Sequence, residues 1–192
     1  MRNILRNRMA LSTVVTTLII LVVSVLLAGV VTYFAINVTS TRVQEESLHL
    51  TKQHVWYNAA SGQAQAAIMI INTGGRDVVL DKIAVRGQES DWDGASQNVT
   101  YLITSSSVSN DLTFISAGIQ GYNMNTMLGL SGTNNLADAS TDITLQSGKT
   151  LIMYISSPDS ITVNDIGLTV AITVFTSQAM YYKETNVQAY VA

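Results

Sequence analysis

His49 and His54 are the only histidines, and neither has an evident serine and acid partner for nucleophilic catalysis. No G-x-S-x-G elbow and no glycine-rich phosphate loop occurs. Glu45 and His49 are four residues apart. On a helix they share a face and offer two metal ligands. Two ligands do not close a site, and the polar surroundings read as a solvated or subunit-contacting helix face. Asp91-Trp92-Asp93-Gly94 supplies two carboxylates. Calcium takes six to eight oxygens, and the glutamate that closes a calcium loop is missing, so this stretch reads as an exposed turn. There are no cysteines, hence no thiolate site and no disulfide framework. The expectation is a non-enzyme with no catalytic residues, no metal and no cofactor. The remaining chemistry is modification: Asn37-Val38-Thr39 and Asn98-Val99-Thr100 fit the N-glycosylation pattern. Asn98 lies in a polar stretch and is the better acceptor; Asn37 sits near the helix, where a sugar would be sterically blocked.

What positions these residues is set by one segment. Between Met9 and Thr41 there is no Asp, Glu, Lys or Arg, whereas Arg2, Arg6 and Arg8 precede it. The run is longer than the roughly 20 apolar residues a helix needs to cross a bilayer. Its apolar residues fall on every face, so it must be buried in lipid or among other helices. The positive-inside rule keeps the arginines in the cytoplasm and puts the rest outside. The formal net charge is −3, and the leader holds three of the ten basic residues. The chain beyond the leader is acidic and lacks the basic patch that nucleic acid requires. Ser24, Ala28 and Thr32 recur every four residues and share a face. Small residues so spaced let helix backbones approach closely in an apolar medium. Arg42, Glu46 and Leu50 continue an i,i+4 pattern, which predicts a helix from about Leu11 to Lys52, roughly 60 Å long.

Arg8-Met9-Ala10-Leu11-Ser12-Thr13-Val14-Val15 resembles the class III signal peptide of archaeal type IV pilins and archaellins. Met9 stands where a basic residue is commoner, with Arg8 one position back. The resemblance implies that a prepilin peptidase cuts between Ala10 and Leu11, with Arg8, Met9, Ala10 and Leu11 forming the processing site. It implies membrane residence before assembly, pilus assembly machinery as a partner, and a homo-oligomeric helical filament outside the cell. It implies a structural subunit for surface adhesion, or an archaellin of a motility filament. The open alternative is a membrane-tethered, non-polymerising binding module. Asn72-Thr73-Gly74-Gly75-Arg76-Asp77 also looks like the start of an archaellin-type β-domain.

Three regions are expected: a basic leader at 1–10, a hydrophobic helix and stalk at 11–53, and an extracellular β-rich domain at 54–192. Val55-Trp56-Tyr57 reads as a strand start, and Ala66 to Ile71 as a short apolar strand. Val78 to Leu80 and Ile83 to Val85 read as two strands around Asp81-Lys82. Tyr101 to Thr104 and Leu112 to Ile115 are further strand candidates. Gly121 to Ala139 reads as irregular, anchored by Met124, Met127, Leu128 and Leu130. Ile143 to Ile155 alternates around a turn at Ser147-Gly148-Lys149, and Leu168, Val170, Ile172 and Val174 keep a period of two. Met180 to Tyr182 and Val187 to Val191 close the pattern. The fold class is therefore α+β: a long N-terminal hydrophobic α-helix, then an antiparallel β-sandwich or barrel-like domain. The Ser-, Asn- and Gly-rich stretch from Gln88 to Ser140 is expected to form its outer surface.

Overall fold

The computed structural model describes residues 4–43, 45–92 and 98–191, except for the side chains of residues 4–10 and 42–43. The chain divides into two compact units, Met1–Gln44 and Glu45–Ala192.

The first unit is one helix, α1 (Ile4–Val43). It contains no proline, and Gly29 is its single glycine. Serine and threonine ordinarily weaken a helix by competing for its backbone. Here Thr16, Thr17, Ser24, Thr32 and Thr41 donate to carbonyls three or four residues back, at 2.7–2.9 Å. Their hydroxyls are satisfied without water, as an apolar medium requires.

The helix stops at Val43, nine residues short of the predicted Lys52, and the second unit starts at Glu45 rather than residue 54. From Leu48 the chain is a strand, β1 (Leu48–Asn58), with Leu48 and Leu50 buried and His49 exposed between them. A period of two thus overrides local i,i+4 pairing, because burial against the sheet outweighs a few tenths of a kcal/mol per helix pair.

The second unit is a ten-stranded curled sheet. Its remaining strands are β2 (Gln63–Asn72), β3 (Val78–Val85), β4 (Gln88–Glu89), β5 (Val99–Thr104), β6 (Ala137–Asp138), β7 (Ile143–Leu145), β8 (Thr150–Ser156), β9 (Thr169–Thr176) and β10 (Met180–Tyr190). The order is β4-β3-β9-β10-β1-β2-β8-β5-β6, with β7 also on β3. Among the described residues every strand pairing is antiparallel except one: β1 runs parallel to β10, from Val55 opposite Val187 to Asn58 opposite Tyr190. The first and last strands therefore meet in mid-sheet.

Three expectations change in detail. Val78 to Val85 is one strand, and Asp81 is the extra residue of a bulge against β9. The turn at Ser147-Gly148-Lys149 exists, but β7 pairs with β3 while β8 pairs with β2 and β5, so it is a corner and not a hairpin. Leu112 to Ile115 forms no strand. It belongs to a strap, residues 105–136, containing the single-turn helix α2 (Asn125–Leu128).

Two cores result. Ile68, Ile70, Leu80, Ile83, Leu151, Met153, Ile172 and Val174 fill the inside of the curl. Trp56, Ala67, Met69, Ile152 and Tyr154, on the other face of the same central strands, pack under Leu112, Phe114, Ile115, Met124 and Leu128 of the strap. That is why β2 and β8 read as continuous apolar runs: they are buried on both sides. Met124 and Leu128 are buried and Met127 and Leu130 half-buried, so all four predicted anchors hold the strap down.

Candidate functional site

The surface least able to face water is α1. Leu11–Thr41 is 31 residues long, apolar enough to cross a membrane, and exposed along its described length. At 1.5 Å per residue it spans about 46 Å, against a hydrocarbon core of about 30 Å. Leu18, Leu21, Leu26 and Phe34 are each more than 60 % exposed.

Ser24, Ala28 and Thr32 lie along one side of this helix, as their spacing requires. Ser24 Oγ donates to Ile20 O at 2.7 Å and Thr32 Oγ1 to Ala28 O at 2.8 Å. The seam is therefore low in relief and electrically quiet, which suits close backbone approach. A Cβ on Gly29 would meet nothing within 4 Å, so no contact inside the chain requires a glycine there. The bond between Ala10 and Leu11 lies inside α1. Leu11 is exposed; the side chains of Arg8, Met9 and Ala10 lie outside the described residues.

The other singled-out residues are not brought together. His49 sits on β1 rather than on a helix shared with Glu45. His54 Nε2 and Asp111 Oδ1 are 3.0 Å apart, and the His54 ring stacks on Trp56 with centroids 5.1 Å apart. Desolvation pushes the Asp111 carboxyl up, but His54, the Leu112 N–H and nearby Lys52 outweigh it and hold the group below the usual carboxylate range. Among the described residues no three His, Cys, Asp or Glu side chains gather as metal ligands.

Trp92 is buried and donates from Nε1 to Thr141 O at 3.0 Å, so it is a core residue and not part of an exposed turn. Asp93 and Gly94 lie outside the described residues. Asn37 lies within α1, and its carbonyl accepts from Thr41 Oγ1. Asn98 is half-buried just before β5, and its carbonyl accepts from Ser156 N at 2.8 Å. Thr100 of the same motif is 2 % exposed, and its hydroxyl oxygen has no hydrogen-bond partner among the described residues.

Composition did not mark the joint that fixes the chain just before β1. Asn72 is 1 % exposed and its amide donates to Arg76 O at 2.8 Å and Leu145 O at 3.0 Å. Thr73 N and Gly74 N both donate to Ser47 O, at 2.9 and 3.1 Å. A Cβ on Gly74 would lie 2.7 Å from Glu45 O and 2.8 Å from Ser47 N, so only glycine admits that close passage. Thr176 Oγ1 donates to Glu46 Oε1 at 2.6 Å, and Tyr181 OH to Glu46 O at 3.4 Å. Burial, with Glu46 nearby, raises the Tyr181 phenol. Glu46 and Ser47 are thus bound to the turn after β2 and to β9 and β10. The signal in sequence was Asn-Thr-Gly-Gly, read correctly as turn chemistry but without its partner.

No protein-family model matches the chain, and no curated protein matches it. Among solved structures, the ligand binding region of Serine-glutamate repeat protein A (SgrA) of Enterococcus faecium aligns with 78 % of this chain and 100 % of its own. Identity is 11 % and the TM-score 0.26, a likeness too slight to carry an argument.

Proposed function

We propose that this chain is a pilin, the structural subunit of an extracellular archaeal type IV pilus-like filament used for surface adhesion, without enzymatic activity. One observation carries the reading: a 31-residue uncharged, exposed helical segment directly after a basic leader, with bonded hydroxyls along its seam. In the membrane the helix is solvated by lipid. After removal of the leader, bundling with copies of itself replaces lipid by helix, and the Ser24–Ala28–Thr32 side allows close contact. The β-domain then forms the sheath. An archaellin is the close variant with the same assembly.

N-terminal sequencing of protein shed from cells, with electron microscopy of the same fraction, tests the proposal. A mature terminus at Leu11 on subunits of a filament is expected. Retention of Arg2 to Arg8 on a dispersed membrane protein would overturn it and leave the tethered binding module.

A further inference from the structure

Among the described residues of this unit, the strap packs over β1, β2 and β8 and leaves Met180 and Tyr182 of β10 exposed. Val170, Ile172 and Val174 point into the curl, so Thr173 and Phe175 point outward on β9. The register places Met180 opposite Phe175 and Tyr182 opposite Thr173 on β10, and Lys82 of β3 opposite Phe175. Met180 is 59 % and Tyr182 62 % exposed. Phe175 is half-buried, with Lys82 Nζ 5.6 Å from its ring centroid. A shallow cleft of about 410 Å³ opens beside Tyr182, lined also by Gln53, Lys183 and Glu184. Methionine and aromatic side chains are enriched at the centre of protein interfaces.

We infer that this Phe175–Met180–Tyr182 face is where the domain packs against the domain of a second copy, an inference that rests on the filament reading above. Charge selects the occupant. After Val43 the chain carries six basic and thirteen acidic residues, so neighbouring copies repel over most of their surface. The cation on this face is matched: Lys82 pairs with Glu89 at 3.6 Å. Like-charged neighbours meet at least cost on such neutral, apolar ground. Only residues 44–47 separate α1 from β1, so bundled helices hold the domains at high effective concentration, where a small patch suffices.

The chain has no cysteine, so Met180→Cys carrying a benzophenone maleimide reports from one position. Irradiated filaments are expected to give a ladder of covalent multimers whose cross-linked peptides both come from this chain. Detergent-dispersed subunits should give none. In parallel, Tyr182→Glu should lower sedimentable filament several-fold while leaving the domain's thermal midpoint within a degree or two. Filaments that form but cross-link to a different protein or not at all, or that tolerate Tyr182→Glu unchanged, overturn this contact and spare the filament reading. Absence of filaments from the unmodified chain removes both.

Discussion

The two units treat their apolar residues in opposite ways. In α1, among the described residues, eighteen large hydrophobic side chains stand exposed; in the whole β-domain only six do. The domain has finished its burial alone, with one core inside the curl and a second under the strap. The helix satisfies the hydroxyls of Thr16, Thr17, Ser24, Thr32 and Thr41 internally yet leaves its apolar surface exposed from Leu11 to Thr41. Self-sufficiency in polar groups combined with dependence on surroundings for apolar ones is the signature of a segment made for a non-aqueous medium. The contrast puts folding stability in the β-domain and the unmet apolar surface in α1, so domain stability and membrane insertion should separate by mutation.

The widest separation is expected from a charge in the helix. Leu26→Asp places a carboxylate mid-span, at about 2.5–3.5 kcal/mol on the insertion scale. Membrane retention and assembly should fail outright, while a chain beginning at Glu45 should unfold with the midpoint of the same region in the full protein. Calorimetry beside membrane fractionation reads both. The reverse case is Ile68→Ala, at a fully buried position of the inner core. Chemical denaturation of the domain should show a loss of about 2–5 kcal/mol, with membrane insertion untouched.

Gly74→Ala tests the anchorage of residues 45–47. Its methyl meets backbone on two sides, so a loss of about 1–3 kcal/mol is expected from urea midpoints. Amide exchange should quicken at Thr73 and Gly74, whose N–H groups lose Ser47 O.

The smallest effect is pH. Asp165 is held below the usual carboxylate range by the Thr162 N–H and hydroxyl and, against its burial, by Arg86 at 2.6 Å; Asp111 is held low by His54. A carboxyl whose folded pKa lies below its unfolded value contributes stability above the unfolded value, about 3.9, and loses it as pH falls through the folded one. The domain's midpoint should therefore drop on acidification below about pH 4, and Asp165→Asn should flatten that slope. A slope unchanged by Asp165→Asn would remove this carboxylate from the account. Helicity of the detergent-held α1 should not follow the curve, since Leu11 to Thr41 contains no acid.

The start of the membrane-length segment was legible because charge vanishes there; its end was not. Arg42, Glu46 and Leu50 satisfy helix spacing as well as Leu48 and Leu50 satisfy strand alternation, and only the presence of β2 alongside selects the second. Periodicity found β8 and β9, and the apolar run found β2. It split β10 in two, because Lys183 to Asn186 are polar in a strand that stays largely exposed. The parallel meeting of β1 and β10 joins residues more than 130 apart, which no local pattern encodes. Of the candidate site, the shared face of Ser24, Ala28 and Thr32 was readable from their spacing. The bare sheet face was not, because knowing what is uncovered requires knowing where the strap lies.

The mid-sheet position of β1 has a mechanical side. Tension drawn through α1 enters the domain at the start of this strand, which is hydrogen-bonded to β2 along most of its length and to β10 at its far end. Ladder bonds lie perpendicular to the strands, so a pull along β1 loads them together in shear instead of unzipping them singly. A domain built this way would hold against a pull through its N-terminal end and yield sooner to a force that peels the sheet from an outer strand.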